Sequence, residues 1–225
     1  MIGAPHVHHR LTESTNARAR ELALAGAPHG TLVTADEQSA GRGRQGRQWT
    51  AAPGEALLMS LLVRDVRPLL PLAAAVAVCE ALAPLEAAIK WPNDVWIERR
   101  KVAGILLEGR PQEGWAVIGI GLNVRTRAFP PELQGSATSL ALGGVDTTVA
   151  AVRDALIRAL ERWTRADDEE VLAAWRARDA LRGEHVRWAT GEGTAAGITD
   201  SGALLVDTPA GAQVELDAGE VHLSL

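Results

Sequence analysis

Lysine and asparagine are almost missing from this chain. Of its 23 basic residues only Lys90 and Lys101 are lysine, and all the others are arginine. Asparagine occurs as Asn16, Asn93 and Asn123 alone. A composition that disfavours both types draws attention to the positions that keep them, because the broad planar fork of arginine cannot replace an ammonium where a compact point charge is required. Cysteine is scarcer still. Cys79 stands alone in the apolar run 73–79 and reads as a small buried thiol. A single cysteine permits no internal disulfide, as expected of a cytoplasmic protein. No apolar run approaches the roughly 18–20 residues of a membrane span. The amino terminus lacks the basic-then-apolar pattern of a signal peptide. A net charge of −5 argues against nucleic acid as a partner. No Ser/His/Asp set can be picked out. His6, His8 and His9 have no partner cluster, so they are not expected to hold a metal, and no metal ligands are legible.

What is present fits one large domain and one small one. The chain has 225 residues, 47% of them apolar, enough to bury a sizeable core. Ser14 or Thr15 is expected to cap a helix running to Ala25 and closed by Gly26. Residues 31–35 read as a strand. Residues 36–54 show no apolar period and carry Gly41, Gly43, Gly46, Pro53 and Gly54, which marks a long and therefore functional or mobile loop. Ala56–Val63 reads as a strand, 69–82 as a buried helix, and 88–91 as a strand stopped by Pro92. Residues 95–98 and 102–108 suggest a hairpin turned at Arg99-Arg100, and 115–120 a further strand. Val152, Leu156, Leu160 and Trp163 mark an amphipathic helix, and 171–178 another. The acidic run Asp167-Asp168-Glu169-Glu170 suits a helix amino terminus. From Gly183 onward the pattern changes to short alternating runs at 185–189, 194–198, 203–206, Gln213–Leu216 and 221–225, with turns at 190–193 and Asp200-Ser201-Gly202. Five short strands predict a small β-barrel. The expected domains are 1–181 and 182–225.

Three segments carry the chemistry. Gly41-Arg42-Gly43-Arg44-Gln45-Gly46 formally matches a dinucleotide fingerprint, but the preceding strand is too far away and Pro53-Gly54 forbids a helix soon after. What remains is glycine, which lets backbone N–H groups approach a ligand, alternating with Arg42, Arg44 and Arg47, which grip carboxylate or phosphate. The alternative is a solvated basic loop, against which Trp49 argues because it needs something to cover. Lys90-Trp91-Pro92-Asn93-Asp94 is a polar cluster at a strand end, followed by Lys101 and Gly104; Asn93 and Asp94 also suit plain turn residues. Gly119-Ile120-Gly121-Leu122-Asn123 presents a face without side chains, suited either to a flat ligand or to close backbone packing.

Taken in order, Ser14-Thr15-Asn16, the stretch from Gly41 to Trp49, Lys90-Trp91-Pro92-Asn93-Asp94 with Lys101-Val102-Ala103-Gly104-Ile105-Leu106, and Gly119-Ile120-Gly121-Leu122-Asn123 closely resemble the motifs of biotin–protein ligases. The resemblance covers nearly the whole chain, and every lysine and asparagine falls inside it. It implies an α+β fold: a mixed β-sheet flanked by helices, as in class II aminoacyl-tRNA synthetases and biotin ligases, followed by an SH3-like barrel. It implies ATP with Mg2+ and biotin as substrates, biotinyl-5′-AMP as intermediate, a biotin carboxyl carrier protein as partner, and a homodimer by analogy. Ser14, Thr15, Asn16 and Gln38 would line the biotin-head pocket, with Gly43 close to it. Arg42 would hold the carboxylate and phosphate region. Arg44 and Lys101 would act catalytically on the carboxylate and α-phosphate oxygens. Arg47, Asn93 and Asp94 would lie near the nucleotide, Asn123 would face adenine, and Trp49 would help close the site. Gly104 and Gly121 would leave flat room for the ligand, and Lys90 would support the site from behind. Only 13 residues precede Ser14, so no helix-turn-helix domain is expected. The Arg/Gly loop with Lys-Trp-Pro-Asn-Asp speaks for biotin over lipoate or octanoate, and the full charged set against a module that merely binds. Lys101→Arg is expected to cut adenylation strongly while the fold, followed by circular dichroism, survives; near-normal rates would show that a guanidinium suffices.

Overall fold

A computed structural model describes residues 2–217, 219 and 221–223. Seven strands form the first sheet: β1 (His6–Thr12), β2 (Leu32–Gln38), β3 (Ala56–Val63), β4 (Ala87–Lys90), β5 (Asp94–Ile97), β6 (Arg100–Arg110) and β7 (Trp115–Asn123). Their order is β1-β2-β3-β7-β6-β5-β4. Only β1 and β2 run parallel; every other neighbouring pair is antiparallel. The run Ala-Leu-Leu-Met-Ser-Leu-Leu-Val of β3 is buried throughout, as a central strand covered on both faces requires.

Four helices complete this unit: α1 (Thr15–Leu24), α2 (Leu70–Ala81), α3 (Val149–Trp163) and α4 (Asp168–Arg176). On one face Ala19 and Ala23 of α1 meet Val33, Leu62, Trp115 and Val117. On the other, Leu57, Met59 and Leu61 join α2, α3 and α4 in the main core. The helix α2 is apolar all round and consequently buried, whereas α3 shows its sheet only the stripe Val152, Leu156, Leu160 and Trp163. Asp167 caps α4, its carboxylate accepting from Glu170 N–H at 2.8 Å. Gly26, at φ +84°, ends α1 in the left-handed region. Ser14 occupies the N-cap position of α1 with extended backbone, but its hydroxyl makes no capping bond.

The second sheet contains β8 (His185–Trp188), β9 (Gly191–Ile198), β10 (Leu204–Asp207), β11 (Gln213–Leu216) and β12 (His222–Leu223), all antiparallel in the order β11-β10-β9-β8-β12. Its attachment to the first unit is specific. Trp91 Nε1–H donates to the Gly202 carbonyl at 3.0 Å, and the segment leading into it is strapped to β4 by Ile89 N–H to Arg178 O and Ala180 N–H to Ile89 O. Among the described residues no helix is long and apolar enough to cross a membrane.

Several expectations need correction. Residues 6–12 form an edge strand that polar composition hides. The first hairpin turns at Glu98-Arg99, not Arg99-Arg100; both residues have positive φ, +49° and +61°, so β6 already begins at Arg100. The expected turn at 190–193 shrinks to 189–190, because Trp188 pairs with Gly191. The expected last strand, 221–225, is seen as β12, and residues 224 and 225 lie outside the described residues.

Cys79 is 5% exposed, and burial pushes its thiol up to about 12. Only the thiolate is nucleophilic, so iodoacetamide at pH 8 should leave the native protein unlabelled and label it stoichiometrically in denaturant. Rapid native labelling would contradict this packing.

Candidate active site

The antiparallel register lays one row of residues across the face of the sheet that α1 covers. Leu58 pairs with Gly121, Gly121 with Gly104, Gly104 with Asp94, and Asp94 with Lys90. The next row brings Ser60 opposite Gly119 and Gly119 opposite Leu106. The glycines therefore leave a dent in the middle of the sheet, bounded by α1 on one side and by the acid and amine of Asp94 and Lys90 on the other. A cavity of about 570 Å³ opens over it. That volume suits a ligand of drug size.

All the residues expected at the site from sequence line this cavity: Ser14, Thr15, Asn16, Gln38, Arg42, Gly43, Arg44, Arg47, Trp49, Asn93, Asp94, Lys101, Gly104, Gly121 and Asn123. One wall is a hydrogen-bonded chain. Gln38 Oε1 accepts from Thr15 N–H at 2.8 Å and from its hydroxyl at 3.1 Å. Ser60 Oγ lies 2.8 Å from Thr15 Oγ1 and donates to Asn16 Oδ1 at 2.6 Å. Thr15, Asn16 and Ser60 are all buried, so these polar groups depend on one another for satisfaction.

The opposite wall is charged. Lys101 Nζ sits 2.6 Å from Asp94 Oδ1 and 5.6 Å from the Trp49 ring centroid. Its backbone is pinned from the far side, since its N–H donates to Ser136 O at 2.8 Å and its carbonyl accepts from Thr138 N–H at 2.8 Å. Asn93 Nδ2 donates to Ile105 O at 2.8 Å. Lys90 Nζ stands 5.6 Å from the Trp96 ring.

The loop 39–55 roofs the cavity. It curls on itself through Gly43 N–H to Arg47 O at 2.8 Å and Trp49 N–H to Gly41 O at 3.0 Å. Arg42 reaches Glu108 at 3.6 Å, and Arg44 Nη2 donates to Gly219 O at 3.4 Å, tying the roof to the second sheet.

Two details modify the expected roles. The flat face of Gly104 and Gly121 is covered by the Trp49 indole: a methyl at Gly121 would lie 2.7 Å from Trp49 Cδ2, and one at Gly104 3.1 Å from Cζ3. The approach at Gly121 requires glycine, and that at Gly104 is a tight fit. The ring's Nε1 is buried with no hydrogen-bond partner among the described residues, a donor free to serve a ligand. Asn123 is buried and its Nδ2 donates to Thr138 O at 3.0 Å, which leaves its second amide N–H and its carbonyl oxygen for a ligand.

Sequence reasoning missed five contributors. Ser60 was legible as the one polar residue within an apolar strand. Trp96 and His222 also line the cavity, as does the segment between Thr126 and Ala137, which has no periodicity. Glu108, on the same face of β6 as Gly104, accepts from Asn16 and meets Arg20 and Arg42.

Comparison with known proteins matches this arrangement to a family. The model described as "Biotin/lipoate A/B protein ligase family" covers residues 8–124, and that described as "Biotin protein ligase C terminal domain" covers residues 183–224. The chain belongs to the biotin/lipoate A/B protein ligase family. Its relatives include the biotin–[acetyl-CoA-carboxylase] ligase of Mycobacterium tuberculosis, 39% identical over 94% of this chain and 86% of that protein. The enzyme of the same name from Paracoccus denitrificans is 38% identical over 93% of this chain and 97% of its own length. Among solved structures, the biotin protein ligase of Aquifex aeolicus in complex with biotin and ATP superposes with a TM-score of 0.83, at 28% identity, covering 98% of this chain and 99% of that one. The α+β fold expected from sequence, a mixed sheet flanked by helices followed by a small all-β domain, is thus the fold of this family, the small domain being a five-stranded antiparallel sheet.

Proposed function

We propose that the protein is an ATP-dependent biotin–protein ligase that forms biotinyl-5′-AMP and transfers biotin to one lysine of a carboxyl carrier protein. The observation that carries this reading is the convergence of four separate sequence motifs on one cavity with a polar end, at Gln38, Thr15 and Asn16, and a cationic end, at Arg42, Arg44 and Lys101. The names of the relatives support the same reading.

In the first step a biotin carboxylate oxygen attacks the α-phosphorus of ATP. A C(O)O–P bond forms, the bond to the β-phosphate oxygen breaks, and pyrophosphate leaves with its electron pair. Two anions must meet, so fixed cations aimed at the non-bridging oxygens lower the barrier. Lys101 suits this task because its backbone is anchored and Asp94 fixes its ammonium at 2.6 Å. Arg42 and Arg44, on the roof, serve the carboxylate and phosphate oxygens, with Arg47, Asn93 and Asp94 beside the nucleotide. Mg2+ accompanying ATP would further neutralise the phosphates, and among the described residues no cluster of acidic or histidine side chains is built to hold it. In the second step the carrier lysine amine attacks the acyl carbon, AMP leaves, and the amine's proton is lost to water. The loop 39–55 excludes water from the mixed anhydride meanwhile. The ureido ring binds at the Thr15–Asn16–Gln38 end, whose donors and acceptors match it. The division into a catalytic domain 1–181 and a carboxy-terminal domain 182–225 belongs to this proposal and is supported by the start of the second sheet at His185.

Purified protein incubated with biotin, Mg-ATP and a biotin carrier domain is expected to add one biotinyl group to a single carrier lysine, read by intact-mass and peptide mass spectrometry. Absence of transfer together with absence of adenylate would overturn the ligase reading.

A further inference from the structure

Glu108 plays no part in the steps above, yet it stands directly behind the polar wall. Its Oε2 accepts from Asn16 Nδ2 at 2.9 Å. Its Oε1 faces Arg20 Nη1 at 3.3 Å and Arg42 Nη1 at 3.6 Å. Asn16 is 4% exposed and packs on the bare backbone of Gly119, where a methyl would lie 2.7 Å from Asn16 Cγ and 2.8 Å from Nδ2. The close packing of Gly119 therefore serves a side chain of the wall rather than the ligand.

A buried asparagine amide has two flip states, and its surroundings select one. Here Nδ2 faces Glu108 and, at 3.4 Å, the Leu106 carbonyl, while Oδ1 receives the Ser60 hydroxyl at 2.6 Å. An ionised carboxylate only accepts, so it forbids the flipped amide, which would set oxygen against oxygen. Ser60 has a single proton. Asn16 Oδ1, which cannot donate, is the nearer of its two partners, at 2.6 Å against 2.8 Å for Thr15 Oγ1. The Ser60 proton thus points at Asn16, so the orientation of both groups is imposed by one charge at the far end of the wall, while the single proton of the Thr15 hydroxyl is shared between Ser60 at 2.8 Å and Gln38 at 3.1 Å.

We propose that Glu108 is a positioning residue for biotin: by locking the Asn16 amide it fixes which hydrogen-bonding groups of the wall face the ring end of the substrate. This rests on the ligase reading above. The competing role, a tether for Arg42, is the weaker one on the geometry, because the Arg42 side chain is 51% exposed and its contact is longer. Exposed ion pairs contribute little.

The test is steady-state pyrophosphate release in the presence of saturating carrier domain, with biotin and ATP varied separately. Glu108→Ala is expected to raise the KM for biotin about tenfold or more, the loss of one charged acceptor, while the KM for ATP stays within about twofold. Glu108→Gln can offer Asn16 either an oxygen or an N–H, so it keeps a partner without selecting one flip state and should recover only part of that loss. Asn16→Ala should resemble Glu108→Ala, and the double variant should be no worse than the poorer single one, because both remove the same interaction. Glu108→Met, similar in length but a poor acceptor, gives the same reading if the alanine variant does not fold. Equal defects in Glu108→Ala and Glu108→Gln, additive defects in the double variant, or a change confined to ATP would overturn the proposal and favour the tether. Wild-type protein that releases no pyrophosphate with biotin would overturn the ligase reading and this proposal with it. A working wild type with unaffected Glu108 variants would overturn the role of Glu108 alone.

Discussion

Three missing side chains in the middle of a buried sheet organise this molecule. Gly104, Gly119 and Gly121 lie on adjacent strands and on one face, where a Cβ would collide with a neighbour at Gly119 and Gly121 and press tightly on one at Gly104. Glycine weakens a strand interior, since it packs nothing and loses most conformational freedom on folding. The cost is met by largely apolar neighbours, notably β3 and the helix α2 on the opposite face. In return the sheet holds a dent, and other groups are arranged around it. Asn16 settles on Gly119, the Trp49 ring settles on Gly104 and Gly121, and the cavity is what remains between them.

Charge follows the same geometry. Asp94 and Lys90 stand at the end of the glycine row, and Lys101 swings back over it from the neighbouring strand to meet Asp94. The cations that face the cavity on the other side belong to the roof, and each is tied lightly: Arg42 to Glu108 and Arg44 to a carbonyl of the second sheet. A rigid cation on the floor and adjustable ones above suit a reaction that must admit two anions, close over them, and release the product to a large protein partner.

The central strand, the buried helix, the amphipathic helix and the alternating strands of the second sheet were legible because burial writes a period into the sequence. The strand β1 was not, because His-Val-His-His-Arg-Leu-Thr lies at a sheet edge, where side chains need no apolar face. The turn Glu98-Arg99 was misplaced because two non-glycine residues adopt positive φ there. The site residues were legible through scarcity: in a chain that otherwise uses arginine, Lys90 and Lys101 marked one wall. Composition said nothing of Ser60 and Glu108, whose significance comes only from register, which sets one beside Asn16 and the other behind it. Nor could it show that the tryptophan of the roof would lie on the glycines.

The central claim is that this dented, roofed cavity makes and protects an acyl-adenylate. Single-turnover incubation with biotin and Mg-ATP in the absence of any carrier, followed by gel filtration and mass spectrometry of the protein fraction, tests it most directly. The account predicts biotinyl-5′-AMP co-eluting with the protein at close to one equivalent and decaying far more slowly than the free compound. Pyrophosphate release with no retained adenylate, or an adenylate that hydrolyses as fast on the protein as in buffer, would contradict it.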